Sequence, residues 1–312
     1  MNIRGHLGTV LGLARRRLRP PVAPPSVAWS GVVDDPDCGA IALTGRLSNA
    51  DSGRLIVGVH GLGGCADSLY LWSLAAAAAE RDWAVLRLNL RGADRLGEDF
   101  YHGGLTADLH GALASPALAG FGEIVLVGYS LGGHAVLRYA TEAGDPRVRA
   151  AVAVCSPLDL AAGQLAIDRP GAWIYRRYVL AHVKEIYRQV AVRRSVPIPV
   201  ADADRIRRLW DWDDAVVAAR HGYRGADDYY ARASVAGRLD RLRLPSLLVA
   251  TEDDPMVPAA IVRRCLKAPT ELETVWVARG GHVAFSAALD LGLGGRRGLA
   301  SQLLSWVESH LG

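Results

Sequence analysis

The chain has 312 residues, half of them apolar, with 36 Lys and Arg set against 32 Asp and Glu for a net charge of +4. A chain of this size and apolar content buries a large core and needs neither a metal nor disulfides to hold it. The basic surplus is scattered, with no stripe of interleaved aromatics, so it argues against nucleic-acid binding; no run of about eighteen apolar residues is present to form a transmembrane helix.

Residues 1–27 read as a separate lead-in. Met1 to Arg19 contains no acid and ends in Arg15-Arg16-Arg17-Leu18-Arg19. Its short apolar part precedes the charges, the wrong order for a secretory signal. A frayed or docked helix is the expectation, with weak membrane-surface association as the alternative. Pro20, Pro21, Pro24 and Pro25 then make a stiff extended linker.

The core is expected to occupy residues 28–159 and 241–312, with a helical insertion over 160–240. Ile41 to Leu47 reads as a strand of an opening antiparallel hairpin. Arg54 to Val59 is continuous and β-branched, as a central strand covered on both faces should be. It runs into His60-Gly61-Leu62-Gly63-Gly64. With no Lys-Ser/Thr following, this is no phosphate-binding P-loop. Glycines here instead let backbone approach a substrate carbonyl, which makes the Leu62 N–H one donor of an oxyanion hole, with His60 bracing the loop.

Asp67 or Ser68 is placed to cap a helix through Leu74 to Glu80. Trp83 to Leu90 is the next strand and Leu105 to Ala114 the next helix. Ile124 to Val127 then runs directly into Gly128-Tyr129-Ser130-Leu131-Gly132 and a helical pattern. Strand, sharp turn and helix around G-x-S-x-G form a nucleophile elbow, with Ser130 at its tip and the Leu131 N–H as the second oxyanion donor. Glycines flank the serine because a Cβ at either place would strike the neighbouring backbone. Val148 to Val154 is a further buried strand ending near Asp159. Strands and helices alternating at this spacing predict a mostly parallel sheet, with reactive groups at the carboxyl ends of its strands.

The rhythm breaks over residues 160–240. Helical pieces are expected near Trp173 to Arg194 and Ala203 to Ala219. Trp173, Tyr175, Tyr178, Trp210, Trp212, Tyr223, Tyr229 and Tyr230 either line an acyl channel or pack the cap onto the core. Asp211, Asp213 and Asp214 read as solvated or cap-locking. The sheet resumes at Leu244 to Ala250, followed by Thr251-Glu252-Asp253-Asp254-Pro255-Met256. Asp254 is ranked as the carboxylate that orients a histidine, ahead of Asp253 and then Asp159. After a last strand at Thr274 to Ala278, His282 follows two glycines and completes the order Ser, Asp, His. Leu299 to Leu311 closes the chain as a helix packed on the sheet. Gly61, Tyr129, Trp173, Tyr178 and Met256 are the expected substrate contacts. Cys38, Cys65, Cys155 and Cys265 lie far apart with no C-x-x-C pair, reading as buried thiols of a reducing, cytoplasmic compartment rather than a metal site.

These residues resemble the α/β-hydrolase superfamily, and within it the YheT-like branch that includes the mammalian abhydrolase-domain lipases and the yeast medium-chain ester synthases. The resemblance rests on His60-Gly-Leu-Gly-Gly64, Asn89-Leu-Arg-Gly92, Tyr101-His-Gly-Gly104, Gly128-Tyr-Ser-Leu-Gly-Gly133, Asp211-Trp-Asp-Asp214, His221-Gly-Tyr-Arg-Gly225 with Asp228-Tyr-Tyr230, Asp253-Asp-Pro-Met256 and Gly280-Gly-His-Val283. The N-P-H-x-Q-T-like stretch that members carry before the sheet is not found. The resemblance implies an α/β-hydrolase fold with a helical cap and small-molecule acyl esters, of medium chain length or on a phospholipid, as substrates. Ser130, His282 and Asp254 are then nucleophile, base and orienting acid of an esterase that needs no metal or organic cofactor. Transfer to an alcohol acceptor, and a ligand-binding protein without turnover, are the alternatives. Oligomeric state is not readable.

Overall fold

The structure, a computed structural model, describes residues 5–6, 8–9, 18, 20–266 and 271–311. Most of the N-terminal segment discussed above therefore lies outside the described residues. An opening hairpin, β1 (Val27–Asp35) and β2 (Gly39–Ser48), is followed by β3 (Arg54–Val59), α1 (Leu69–Ala79), β4 (Ala84–Asn89), α2 (Ala107–Leu113), β5 (Glu123–Tyr129), α3 (Leu131–Ala140) and β6 (Val148–Val154). Helices α4 (Leu160–Asp168), α5 (Trp173–Ala191), α6 (Val200–Arg205), α7 (Leu209–Trp212), a π-helical run over Asp213–Ala218 and α8 (Ala226–Ala233) form the insertion. The chain then returns through β7 (Ser246–Thr251), α9 (Ala259–Cys265), β8 (Leu272–Val277) and α10 (Leu299–Leu311).

The eight strands lie in the order β1-β2-β4-β3-β5-β6-β7-β8. The hairpin is antiparallel, as is its junction with β4; every other pairing is parallel. Central strands are buried on both faces, and the twofold period of a strand sorts their residues between two cores. Leu55, Val57, Leu126 and Ala153 face a core shared with α2, α3 and the insertion. Ile56, Val125, Val127 and Val152 face the other core, against α1 and α10.

Helix α5 shows the same sorting at helical period. Tyr175, Val179, Val183, Ile186 and Val190 recur three or four residues apart and are buried, while Trp173, Ile174 and Tyr178 lie on its exposed side. The single helix expected over residues 203–219 is divided. Ile206 and Arg208 are extended, because tertiary caps end one helix and start the next. The ammonium of Lys184 donates to the carbonyls of Asp204 (3.0 Å) and Ile206 (2.6 Å). Asp168 then accepts the opening N–H groups of α7 at Leu209 (2.8 Å) and Trp210 (3.1 Å). Ser68 precedes α1 but makes no side-chain cap; its hydroxyl accepts the Cys65 N–H instead.

Insertion and core are tied by charge. The Arg91 guanidinium, wholly buried, meets Asp35, Asp99 and Asp108, and Arg220 from the insertion joins Asp35 and Asp99. Of the cysteines, Cys155 is buried while Cys38, Cys65 and Cys265 are only partly so, and all are free thiols. The expectation of four buried thiols is thus corrected: three sit on elements at the margin of the cores.

Candidate active site

β5 ends in the turn that carries Ser130, whose φ of 53° and ψ of −121° hold it in a strained conformation. Strain of this kind persists only where packing enforces it. A Cβ at Gly132 would lie 2.5 Å from the Val59 carbonyl oxygen, and Gly128 is crowded by the Gly132 backbone. The two glycines therefore let strand and helix close around the serine. The next loops at the same edge of the sheet come from β7 and β8. Asp254, three residues beyond β7, is fixed by the N–H groups of Met256 (2.8 Å) and Val257 (2.9 Å) on its Oδ1.

These loops bring three side chains into one line. His282 Nδ1 lies 2.9 Å from Asp254 Oδ2 and 3.1 Å from Oδ1, and its Nε2 lies 2.9 Å from Ser130 Oγ. A carboxylate can only accept, so Nδ1 carries the proton and Nε2 is left to accept the serine hydroxyl. Asp254 and His282 are both buried, which strengthens their interaction and fixes the ring. Asp159, the third-ranked acid, is elsewhere: it caps α4 by accepting the Ala162 N–H at 3.0 Å. Both carboxylate oxygens that meet His282 Nδ1 belong to Asp254, the first-ranked acid.

The glycine-rich loop after β3 is held by two tyrosines, Tyr70, which the sequence did not mark, and Tyr101, which opens the Tyr101-His-Gly-Gly104 stretch but carried no assigned role. Tyr70 accepts the Gly61 N–H at 3.0 Å, and Tyr101 accepts the Gly63 N–H at 2.7 Å. Gly64 N–H closes onto the Gly61 carbonyl at 3.0 Å. The Leu62 N–H is the one left in this run without an acceptor among the described residues, and the Leu131 N–H at the start of α3 is likewise open. His60 is fully buried, its Nδ1 donating to the Gly61 carbonyl (2.8 Å) and its Nε2 accepting the Leu90 N–H (3.2 Å). Burial pushes its pKa down to about 4, so it braces the loop as a neutral ring.

A cavity opens at Ser130 and extends beneath the insertion. Leu62, Leu131 and Met256 line it on the core side; Val179, Val183, Trp212 and Val217 line it above. Trp173 and Tyr178 do not line it, contrary to expectation: they are about half exposed because they fall on the outward face of α5. Tyr129 is also misplaced as a substrate contact. It shares its strand face with Val125 and Val127 and packs against Tyr70, with ring centroids 4.5 Å apart and planes tilted by 32°, outside the cavity lining. Gly61 lies against Ser130 but outside the cavity lining. Of the channel aromatics, Trp212, Tyr229 and Tyr230 reach the cavity and Tyr175, Trp210 and Tyr223 do not. Asp213 and Asp214 lock the cap, accepting the Tyr230 hydroxyl (2.7 Å) and the Ala226 N–H (2.9 Å) respectively.

One contact has no sequence signal at all. Thr9 Oγ1, buried, accepts the backbone N–H of His282 at 2.9 Å, and His6 stacks on Tyr175 of the insertion. These described residues of the N-terminal segment are docked on the core. Among the described residues no helix is long and apolar enough to cross a membrane. One cluster among them has metal-ligand chemistry, Cys155, Asp254 and His282, and two of its members are already engaged in the line to Ser130.

A mostly parallel sheet with a nucleophile elbow at its carboxyl edge and helices inserted over it defines the class of α/β hydrolases. The chain belongs to the alpha/beta hydrolase family, whose model matches residues 56–291. It falls in the YheT-like, esterase- and lipase-like branch of that family. It is 32% identical over 267 residues to YheT of Escherichia coli (strain K12), covering 83% of this chain and 77% of that one. It is 29% identical over 180 residues to human (Homo sapiens) monoacylglycerol lipase ABHD2, covering 52% of this chain and only 42% of that relative's length. The Pyrococcus furiosus esterase Pf2001 superposes with a TM-score of 0.55 at 13% identity, over 83% of this chain and 85% of that one, a likeness of fold.

Proposed function

We propose that the protein hydrolyses carboxylic esters of short- or medium-chain or lipid-like acyl groups through a serine ester intermediate. The observation that carries this reading is the unbroken hydrogen-bonded line Ser130–His282–Asp254 at the mouth of an apolar cavity. The names of the relatives, a lipase and an esterase among them, point the same way.

Ser130 Oγ attacks the ester carbonyl carbon while its proton passes to His282 Nε2, and the carbonyl π electrons move onto oxygen. The N–H groups of Leu62 and Leu131 receive that oxyanion. Asp254 holds the imidazole in its tautomer and stabilises the imidazolium. Collapse expels the alkoxide, which takes the proton from His282 and leaves the acyl group on Ser130. Water then attacks with His282 again as base, releasing the acid and restoring the serine. Leu62, Met256 and the cap residues Val179, Val183 and Trp212 bury the acyl chain and exclude bulk water from the carbonyl.

A fluorophosphonate probe and a series of p-nitrophenyl esters of increasing chain length test the proposal. The wild type should label and turn over medium chains, while Ser130→Ala should not label and should lose about 10⁶ in kcat. Asp254→Asn should lose about 10⁴ with its fold intact. Labelling that persists in Ser130→Ala, or no turnover across the whole series, would overturn the reading.

A further inference from the structure

The cavity is apolar at Ser130 but not throughout. Besides Tyr101, His102 and Tyr229, three buried polar side chains, Gln164 of α4, Asp213 of the π-helical run and Tyr230 of α8, line it among aliphatic neighbours. All three belong to the insertion. A chain of contacts along the cavity wall joins them to the nucleophile. Leu131, next to Ser130, shares the cavity wall with Gly103, and Gly103 N–H bonds the Tyr229 hydroxyl at 3.0 Å. The Tyr229 ring then packs on Tyr230, with centroids 5.2 Å apart, and Tyr230 reaches Asp213.

Their hydrogen-bonding capacity is not used up. Gln164 is 4% exposed; its amide Nε2 donates to Asp168, and its Oε1 accepts nothing among the described residues. Asp213 is 8% exposed; Oδ2 accepts the Tyr230 hydroxyl and Oδ1 has no partner among the described residues. Neither oxygen is among the wholly buried unsatisfied atoms, so each remains accessible from the cavity, where a ligand hydroxyl can take the place of water. Asp168 links the two: it receives Gln164 and also caps α7, one turn before Asp213. Asp213 itself opens a π-helical run, a backbone irregularity that recurs at functional sites.

Charge narrows the ligand. Burial in the apolar cavity, with the Asp168 carboxylate nearby, pushes the Asp213 carboxyl up to about 7, so close to neutral pH it is often protonated. A second carboxylate would be repelled there. A neutral hydroxyl can donate to Gln164 Oε1 or Asp213 Oδ1 and accept from the protonated carboxyl.

We infer that Gln164, Asp213 and Tyr230 form a recognition site for a hydroxyl carried on the acyl chain several carbons from the ester carbonyl. The enzyme's preferred substrates are then hydroxyacyl esters rather than plain alkanoyl esters. The inference rests on the ester-hydrolase reading for its use in turnover, but the binding site can be tested without it.

The test uses Ser130→Ala protein, titrated calorimetrically with methyl esters of medium-chain acids in pairs, with and without a hydroxyl at successive positions along the chain. At one position the hydroxy ester should bind about tenfold more tightly than its partner, because polar groups that can hydrogen-bond a hydroxyl discriminate against the analogue that lacks it. Adding Gln164→Leu should bring the ratio towards one. Adding Asp213→Asn, which keeps the shape and one acceptor, should lower it less, and thermal melting checks that each variant is folded. Equal affinities at every hydroxyl position, or a preference indifferent to both substitutions, would overturn the assignment. Tighter binding of an ω-amino or ω-carboxy ester than of the hydroxy ester would also overturn it. Turnover of the same esters by the wild type reads the hydrolase proposal separately, so either idea can fail alone.

Discussion

Replacing Gly132 by alanine tests whether the elbow's strain is what aims the serine. The added Cβ would stand 2.5 Å from the Val59 carbonyl oxygen and closer still to the His60 carbonyl. That is roughly 1 Å inside the 3.4 Å at which ordinary contact begins, and both obstacles are backbone of the buried strand β3 and its loop, with no side chain to swing away. Relief requires α3 to move off β3 by a comparable distance, carrying Ser130 and the Leu131 N–H away from His282 and Leu62. Overpacking of this kind costs about 1–3 kcal/mol of stability. A displacement near 1 Å at the reacting atoms costs about 10² in rate. The assay is the second-order rate of fluorophosphonate labelling beside thermal melting, with Gly120→Ala as control because nothing lies within 4 Å of a Cβ there. Wild-type labelling and melting in Gly132→Ala would refute the reasoning.

Thr9→Val should remove the acceptor of the buried His282 N–H, at a cost of about 1–3 kcal/mol. It should lower kcat more than it raises KM, with Thr9→Ser restoring both; a Thr9→Val enzyme with wild-type kinetics would show that the contact does not position the histidine. Arg91→Met should leave the buried carboxylate of Asp108 without its cationic partner and destabilise by about 3–5 kcal/mol, read by urea unfolding. Asp213 has its pKa raised from 3.8 in the unfolded chain to about 7 in the fold. Its favourable share of stability is therefore complete below pH 3.8 and is lost as pH rises through about 7, so Asp213→Asn should gain on the wild type across that interval. A stability difference that does not change with pH would contradict this.

The elbow was legible because its information is local. Four β-branched or aliphatic residues, two glycines and a helical pattern dictate strand, turn and helix within a single stretch of chain, and the parallel sheet follows from repeating such units. Ser130 and His282 could be assigned by type and by position after a strand, and the glycines explained by steric need. Tyr129, Trp173 and Tyr178 were misplaced for the converse reason: an aromatic side chain declares what it can pack against but not which face of its element will be covered. The helical stretch expected near residues 203–219 is interrupted at Ile206 to Arg208 because distant groups, Lys184 and Asp168, satisfy the broken ends.

The sequence by itself determined the alternation of strands and helices in the core and the elbow that carries Ser130, since backbone preference and side-chain type act over a few residues. Only the tertiary structure decided that Asp254 rather than its neighbour meets the imidazole, that Thr9 holds the histidine loop, and that Gln164 and Asp213 share one cavity. Those choices depend on contacts between residues far apart in the chain, where the direction of a side chain is set by what packs behind it.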